Sequence, residues 1–438
     1  MKANESIRKI DGDPSIALLR HSRSFRWYWA GQSLSFVGSQ ASVVALPLVA
    51  ALTLDAGPGG VSAVATAAML PNLLFSLLVG NWVEGRDKRR IMVPADLVRA
   101  VLLATIPLAW ATGWLSLPWL IAVAFLGGVA GIFFEIAGFA YVPDLVATEE
   151  LPAANRAVQG SSTVSEVAGP GLAGLLVQAL GPPLAMVADA VSYLASALGV
   201  LKGRPRPAST APAAEARHAD DPPTSWRQGL TILFSNAYLR ALTIHAAAFN
   251  LAEQVLIINL VLWAVQGQGV SPGAYGLALS AAGIGALVGT LTALRLADRL
   301  GFGRAFATSL LLSCFAPLAL AAFPLREVGL AVLIGAVLLV SGLGLGNANV
   351  YSLTLRQTVI PKALLARSGG AYRQIMYGSI PIGSALAGVI GEAAGTRVGV
   401  AMGAAGLALS ALPMFTRRIR SLSTPSRAGS TSESAGVE

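Results

Sequence analysis

Residues 80–92 read GNWVEGRDKRRIM, and residues 297–304 read ADRLGFGR. Each stretch places an acidic residue and arginines directly after an apolar run, at 60–82 in the first case and 274–296 in the second. A helix that crosses a bilayer needs about 20 mostly apolar residues, and basic residues gather in cytoplasmic loops. The two stretches therefore predict two cytoplasmic loops of a membrane protein, each at the end of a spanning helix.

The two loops belong to an internal repeat. Glu84 in the first loop and Asp298 in the second are 214 residues apart (298 − 84). Leu172-Ala173-Gly174 recurs as Leu386-Ala387-Gly388, again 214 residues later (386 − 172). Two independent matches at one offset indicate that the chain consists of two related halves, which is the architecture of many alternating-access transporters.

The hydrophobic pattern predicts an all-α membrane protein with twelve transmembrane helices in two pseudo-symmetric six-helix halves. The composition agrees, because 54% of the 438 residues are hydrophobic, only 12% are charged and 47 are glycine. The spans are predicted at 27–53, 60–82, 91–112, 117–142, 157–179 and 183–201, then at 240–264, 274–296, 303–324, 328–353, 370–393 and 398–415.

The distribution of basic residues predicts the orientation of the spans. Of the 31 lysines and arginines, only Arg326 and Arg397 fall in loops on the outer side, which indicates twelve spans with both termini in the cytoplasm. A segment rich in Pro and Ala separates the two halves, as expected of a flexible linker. The expected segments are a cytoplasmic N-terminal segment at 1–24, the N-terminal half at 25–201, a linker with an interfacial helix at 202–239, the C-terminal half at 240–415 and a disordered tail at 416–438.

The composition disfavours several other functions. The net charge of +9 arises from clusters between apolar runs, so we expect no nucleic-acid partner. The single cysteine, Cys314, and three histidines provide no expected metal site, cofactor or disulfide. The absence of a Gly-Lys dipeptide excludes a P-loop, and GPGLAG at 169–174 lies within an apolar span without a preceding strand, so it predicts no dinucleotide site. An enzyme is not expected.

The loop at 80–92 resembles the signature of the major facilitator superfamily, Gly-x-x-x-Asp-Arg-x-Gly-Arg-Arg. The stretches FRWYWAGQSLSFVGS, FFEIAGFAYVPDLV, AANRAVQGSS, GPGLAG, ADAVSYL and LRQTVIP resemble its macrolide-efflux and enterobactin-exporter branch. The likeness runs from Phe25 to about Leu412, although Glu84 and Gly85 replace the usual Asp and Arg. It implies the major facilitator fold, drug:proton antiport and a multi-pass location in the cytoplasmic membrane of a bacterium.

The charged loops are candidates for a cytoplasmic gate, in which a carboxylate on one helix end and a basic cluster on another hold the halves together. Alternatively, the basic residues only fix the topology and bind anionic lipid headgroups, and Asp96 and Arg99, three apart on one helix, only neutralise each other. The gate candidates are Gly80, Glu84, Asp87, Arg89, Arg90, Asp96, Arg99, Asp298, Arg299 and Arg304.

Acidic residues within spans are the candidates for proton coupling, since an ionisable group at a helix centre costs roughly 2.5 to 3.5 kcal/mol on insertion scales. They are Glu135, Glu166 and Glu253. The alternative is a buried acid that neighbouring amides satisfy and that never titrates. Asp189, expected to lie shallow on the outer side, and His245 rank second.

Polar and small residues complete the predicted site. Gln40, Asn250 and Gln254 are the candidates for the substrate cavity. Gly169, Pro170 and Gly174 in GPGLAG resemble the proline-glycine motif of span five in proton-driven exporters, where a kinked helix lets the halves rock.

Together these features predict a secondary transporter that exports an amphiphilic small molecule, such as an antibiotic or siderophore, in exchange for protons. An importer or a lipid flippase of the same fold remains an alternative, as does a non-transporting membrane scaffold. The expected partners are the substrate, protons and membrane lipids, and the sequence leaves the oligomeric state open.

Overall fold

The computed structural model describes residues 14–83, 86–204, 226–323, 325–361 and 364–416. Every regular element in these ranges is helical. Twelve helical segments of the described chain are long and apolar enough to cross a membrane, which confirms the predicted number of spans.

The N-terminal half contains one short helix and six spans. The short helix is α1 (Pro14–His21), and the spans are α2 (Arg23–Leu48), α3 (Pro58–Val83), α4 (Lys88–Ala111), α5 (Leu117–Leu145), α6 (Leu151–Leu180) and α7 (Pro182–Lys202). The first span continues beyond α2 as a π-helical turn at Val49–Thr53.

The C-terminal half contains another short helix and six further spans. The elements are α8 (Trp226–Ser235), α9 (Ala237–Val261), α10 (Pro272–Leu300), α11 (Phe302–Phe315), α12 (Leu318–Ala322), α13 (Glu327–Val359), α14 (Leu365–Ala394) and α15 (Thr396–Ser410). A π-helical turn at Leu262–Gly267 extends α9. The predicted span 303–324 is interrupted between α11 and α12 at Pro317, because a proline inside a helix removes a backbone hydrogen bond.

Single glycines join three pairs of consecutive helices. Gly181, Gly301 and Gly395 have φ angles of 81°, 79° and 86°, in the left-handed region that favours glycine. Each reverses the chain between one long helix and the next. Gly181 and Gly395 are also 214 residues apart (395 − 181), so the internal repeat extends to these turns.

Small residues allow the closest helix contacts. A Cβ atom added to Gly285 or Gly289 on α10 would lie 2.1 Å from a carbonyl oxygen of α13, and one added to Gly342 or Gly346 on α13 would lie 2.1 or 2.0 Å from a carbonyl oxygen of α10. Two glycines four residues apart on each helix therefore let the two backbones touch. This is the packing that small-xxx-small motifs support in membranes, where no hydrophobic force draws helices together.

The bundle has two distinguishable ends. We call the end with the charged loops after α3 and α10 the basic end; Arg86, Lys88, Arg89, Arg90, Arg299 and Arg304 lie there. The opposite end, called the distal end, contains the connections at 54–57, 112–116 and 268–271. Helices α5, α10 and α13 extend beyond their predicted runs at the basic end, because backbone hydrogen bonding continues where side chains become polar.

Candidate functional site

Hydrogen bonds join the two halves at the distal end. The backbone N–H of Gly59 at the start of α3 donates to Glu392 Oε1 near the end of α14, at 2.9 Å. The N–H of Gly273 at the start of α10 donates to Gln178 Oε1 near the end of α6, at 3.1 Å. Both donors belong to the first turn of a helix, where backbone N–H groups lack partners within the helix. Side chains of one half therefore cap helices of the other.

The two π-helical turns also meet at the distal end. Gln266 Nε2, in the turn that extends α9, donates to the carbonyl oxygen of Ala51, in the turn that extends α2, at 2.5 Å. π-Helical turns are rare and often mark functional positions. The sequence does not predict these turns, since nothing in the apolar run distinguishes a π-turn from a continuing α-helix.

Midway through the bundle, α6 crosses α10 at a point where only small residues fit. The N–H of Gly171 donates to Ser280 Oγ at 2.9 Å. A Cβ atom on Gly174 would lie 2.8 Å from the Cα of Gly276 and 2.5 Å from the carbonyl oxygen of Pro272. The motif GPGLAG therefore supplies one of the contacts between the halves, and its Pro170 lies inside α6.

One hydrogen bond joins the halves farther from the distal end. Gln374 Nε2 on α14 donates to the carbonyl oxygen of Leu73 on α3 at 3.4 Å. Nearer the basic end, no heavy atom of another element lies within 4 Å of the position that a Cβ atom would occupy on several glycines. They are Gly80 on α3, Gly160 on α6, and Gly369 and Gly370 on α14. Among the described residues, the hydrogen bonds between the halves thus lie between the distal end and the middle of the spans.

Glu135 lies on an exposed face of α5. The side chain is exposed, and Phe139, one turn closer to the basic end, is 88% exposed. Leu126 lies nine residues away from Glu135, or about 2.5 turns, so its exposed side chain occupies the opposite face of α5. The same helix contacts α3 and α4.

Glu166 on α6 has the same kind of position. Its side chain is exposed and accepts a hydrogen bond from Ser162 Oγ at 3.0 Å. Leu175 lies nine residues away and therefore on the opposite side of α6, where its Cδ2 would lie 3.2 Å from a Cβ atom added to Gly273 of α10. Two of the three predicted acids are thus exposed, one on α5 and one on α6.

The third acid and its polar neighbours lie on α9. Glu253 is half-buried. Asn250 Nδ2 donates to the carbonyl oxygen of Ala246 within the same helix, at 2.8 Å. Gln254 Oε1 accepts from Ser384 Oγ of α14 at 3.4 Å, so Gln254 lies at a helix contact. Asn250, Glu253 and Gln254 therefore lie on one side of α9.

Gln40 and His245 pack between helices. A Cβ atom on Gly169 would lie 2.2 Å from Gln40 Cγ, so the side chain of Gln40 on α2 fills the space that the predicted hinge glycine of α6 leaves. His245 is buried on α9, where Nδ1 lies 2.9 Å from the carbonyl oxygen of Ser410 and the ring contacts Phe249.

The gate candidates at the basic end form local bonds. Asp87 caps α4 by accepting from the N–H of Arg89 at 3.0 Å, and its Oδ2 lies 3.4 Å from Arg90 Nε. Arg89 also donates to the carbonyl oxygen of Leu201 at the end of α7. These bonds stay within the N-terminal half. Asp298, Arg299 and Arg304 are exposed, and Glu84 lies outside the described residues.

The remaining gate candidates, Asp96 and Arg99, lie inside the N-terminal half. Arg99 Nη1 is 3.6 Å from Asp96 Oδ1, and Asp96 is completely buried. The guanidinium of Arg99 also donates to the hydroxyl of Tyr193 on α7 and lies 3.7 Å from the centre of its ring. Their geometry is that of a buried pair stacked on an aromatic ring, and the bonds described here do not reach the C-terminal half.

Asp189 belongs to the same cluster. It is fully buried on α7, and its carboxylate accepts hydrogen bonds from Ser42 Oγ of α2 and from Ser192 Oγ, the latter at 3.0 Å. Ser39 Oγ on α2 lies 3.2 Å from the Tyr193 hydroxyl. Asp189 ranked second among the candidates because it was expected to lie shallow on the outer side, whereas the structure buries it among hydroxyls of α2 and α7. The one available signal was the three-residue spacing of Ser39 and Ser42, which places them on one side of α2.

Comparisons with known proteins agree with this architecture. Residues 14–433 match the model of the transmembrane secretion effector family. The multidrug efflux pump Tap of Mycobacterium tuberculosis is 27% identical over 380 residues, which cover 83% of this chain and 85% of Tap. Macrolide efflux protein A of Streptococcus pyogenes is 27% identical over 155 residues, or 35% of this chain and 37% of that protein.

A solved structure shares the fold. A bacterial homologue of the iron transporter ferroportin, in its inward-facing state, has a TM-score of 0.70 at 16% identity and covers 91% of this chain and 99% of its own. In its outward-facing state with soaked iron, the TM-score is 0.53 at 18% identity, with coverage of 89% and 98%. Because the family model matches nearly the whole sequence and twelve spans adopt this fold, the chain belongs to the transmembrane secretion effector family of the major facilitator superfamily and is a multi-pass membrane transporter.

Proposed function

We propose that this transporter exports an amphiphilic small molecule from the bacterial cytoplasm in exchange for protons. It lies in the cytoplasmic membrane with both termini and the basic end in the cytoplasm. The observation that carries the proposal is the position of the hydrogen bonds between the halves. Bonds such as that between Gly59 and Glu392 join the halves at the distal end, which supports a central opening toward the basic end, and we place the exposed Glu135 and Glu166 on its wall.

This arrangement suits alternating access. The better superposition on an inward-facing solved structure supports an inward-facing conformation for this chain. The names of the relatives, a multidrug pump and a macrolide efflux protein, support export of an organic molecule. An apolar side chain, Phe139, and two carboxylates share the wall of the opening. Such a wall suits an amphiphile, which needs both apolar contact and a polar partner.

Transport of the dye Hoechst 33342, a lipophilic amphiphile, tests the proposal. The purified full-length protein is reconstituted into liposomes, a pH gradient of either direction is imposed, and dye movement is followed by fluorescence. We expect net accumulation of the dye only with a gradient, in the direction opposite to proton flow, and its abolition by a protonophore. Transport with the protons would instead support an importer. Dye movement equal to that of protein-free liposomes, for Hoechst 33342 and for ethidium, would contradict export of amphiphiles.

Three variants test which of the predicted acids takes part in proton coupling. We expect Glu135→Gln, Glu166→Gln and Glu253→Gln each to reduce gradient-driven transport if that carboxyl takes part in coupling. Glu149→Gln serves as the matched control, because Glu149 is exposed at the start of a helix and away from the opening. Full activity in all three variants would contradict their proposed role in coupling while leaving export itself intact.

A further inference from the structure

Two carboxyl groups and one guanidinium are enclosed within the N-terminal half. Asp96 and Asp189 have no solvent-exposed surface, and the side chain of Arg99 is 18% exposed. If both carboxyl groups were ionised, the cluster would have a net charge of −1 inside the bundle. A buried charge without a partner is costly, and a titratable group avoids the cost by becoming neutral. Charge balance therefore favours a state in which one of the two carboxyl groups carries a proton and is neutral.

No other side chain described around the cluster supplies the missing positive charge. Helix α2 contributes hydroxyls and Tyr28, which interacts with Asp96 and with Tyr141 of α5. Helix α7 contributes Tyr193, and α5 contributes the ring of Phe134 at 6.0 Å from the guanidinium. Tyrosines are neutral near pH 7. Among the described groups that face the cluster, Arg99 is thus the cation.

The hydrogen bonds distinguish the two acids. Asp96 lies 3.6 Å from Arg99, whose charge favours the ionised form, but neither carboxyl oxygen of Asp96 accepts a hydrogen bond among the described residues. Asp189 is bonded to the hydroxyls of Ser42 and Ser192. A hydroxyl donates to a carboxylate and, after rotation, accepts from a carboxylic acid, so this environment accommodates both protonation states.

We propose that Asp189 binds the exchangeable proton of this transporter, with Arg99 as the residue that positions the cluster at the edge of the central opening. This inference rests on the proposed proton antiport and names the site of the proton. On release, the O–H bond of the Asp189 carboxylic acid breaks, the proton passes to water, and the carboxylate that remains shares the guanidinium of Arg99 with Asp96.

Arg99 is the partly exposed member of the cluster. A Cβ atom on Gly131 of α5 would lie 4.0 Å from Arg99 Nε, and Gly131 lies one turn from Glu135. The guanidinium therefore lies beside the face of α5 that carries Glu135. In the proposed proton path, solvent from the basic end reaches the buried carboxyl groups past Arg99.

A short segment of α2 connects the cluster to the contact between the halves. Ser39 and Ser42 face α7, and a Cβ atom on Gly38 would lie 2.1 Å from Ser192 Oγ, so the two helices touch here. Gln40, in the same segment, fills the space beside Gly169 of α6. A change in the charge of Asp189 alters the bonds of this segment and thereby acts on the helix that crosses α10.

Infrared difference spectroscopy of the purified full-length protein in lipid nanodiscs tests the site without a substrate. Spectra are recorded while the pH is raised. We expect a C=O stretching band of a protonated carboxylic acid that disappears with rising pH, is absent in Asp189→Asn, and persists in Asp55→Asn, a variant of an exposed aspartate in a distal loop. A band that persists unchanged in Asp189→Asn would overturn the inference.

A milder variant covers the case in which Asp189→Asn does not fold. Ser42→Ala retains the acid and removes one hydrogen bond to it, so the frequency of the band and the pH of its disappearance should both shift. An unshifted band in folded Ser42→Ala contradicts the assignment to Asp189.

Liposome transport separates this inference from the proposed function. We expect Asp189→Asn to lose transport of Hoechst 33342 driven by a pH gradient but to retain exchange of the dye between the two sides without a gradient. Gradient-driven transport at the wild-type rate would overturn the role of Asp189 while export stands. If the wild-type protein shows the infrared C=O band but transports no Hoechst 33342, the result contradicts the exporter proposal and leaves the proton site in place.

Discussion

The backbone N–H of Gly59 on α3 donates to Glu392 Oε1 on α14 at 2.9 Å, and this bond joins the two halves of the transporter at the distal end. The acceptor is a carboxylate and the donor belongs to the first turn of a helix, so charge and helix dipole reinforce the bond. Such a contact must break for the distal end to open.

Glu392→Ala should therefore shift the protein toward the outward-open state. Loss of one bond of about 1 kcal/mol changes the ratio of the two states about fivefold. Spin labels at Thr112→Cys and Phe323→Cys, both exposed at the distal end, should report a larger population of long distances by double electron–electron resonance. Glu392→Gln retains an acceptor oxygen and should shift the ratio less. Identical distance distributions in the wild type and Glu392→Ala would contradict a closing role for this bond.

The distance measurement requires that the spin label does not react with the single native cysteine. Cys314 is fully buried on α11, and a buried thiol without access to solvent reacts slowly. We expect maleimide to label the folded wild-type protein only after unfolding in detergent. Rapid labelling of the native protein would show that α11 opens locally, and Cys314→Ala would then be required before any distance measurement.

The sequence predicts the twelve spans because length and hydrophobicity are properties of each segment alone. The bond between Gly59 and Glu392 joins residues 333 apart, and no local pattern specifies such a partner. For the same reason the sequence does not specify the bond between Asp189 and Ser42, which belong to different spans. The repeat offset of 214 was more informative, since it relates the turns at Gly181 and Gly395 as well as the loops that first revealed it.

The crossing of α6 and α10 should tolerate no added side chain at Gly174. A Cβ atom there would lie 2.5 Å from the carbonyl oxygen of Pro272 and 2.8 Å from the Cα of Gly276, and backbone atoms cannot rotate away as a side chain can. We expect Gly174→Ala to reduce dye transport strongly and to lower thermal stability by about 1–3 kcal/mol, the usual cost of overpacking.

Gly160→Ala is the matched control for this variant. Gly160 lies on the same helix, and no atom of another element lies within 4 Å of its added Cβ position. Transport and melting temperature in Gly160→Ala should equal those of the wild type, because alanine also favours the helix slightly over glycine. Equal behaviour of the two variants would show that the crossing accommodates a side chain and that the tight fit is not required.

The buried pair of Asp96 and Arg99 should show strong coupling in stability. Arg99→Gln leaves the carboxylate of Asp96 buried without its cation, and breaking such a pair from one side typically costs about 3–5 kcal/mol. Asp96→Asn added to Arg99→Gln removes the orphaned charge, so the double variant should melt at a higher temperature than Arg99→Gln alone. The stabilities of Arg99→Gln, Asp96→Asn and the double variant are measured by thermal unfolding in one detergent. A loss in the double variant equal to the sum of the losses in the two single variants would argue against the pairing.

Arg99→Lys gives a separate measure of the stacking on Tyr193. Lysine keeps the positive charge but lacks the planar guanidinium, which lies 3.7 Å from the centre of the tyrosine ring. We expect Arg99→Lys to be more stable than Arg99→Gln and less stable than the wild type. A variant as stable as the wild type would assign the role of Arg99 to its charge alone.

The contact between Gln40 and Gly169 offers a test by rescue. A Cβ atom on Gly169 would lie 2.2 Å from Gln40 Cγ and 2.6 Å from Gln40 Cβ, so Gly169→Ala should displace the segment of α2 that bonds to the buried cluster. Unlike the clash at Gly174, this one involves a side chain of the neighbouring helix, and Gln40→Gly removes both of the closest atoms. We expect Gly169→Ala to lose gradient-driven dye transport and the double variant to recover part of it. The recovery is limited by the cost of a glycine within α2, about 1 kcal/mol relative to alanine.

Gly127→Ala, at a position with open space on α5, is the control for adding a methyl group to a spanning helix. Failure of Gln40→Gly to restore any transport would show that α6 needs Gly169 for bending at Pro170 and not for its contact with α2.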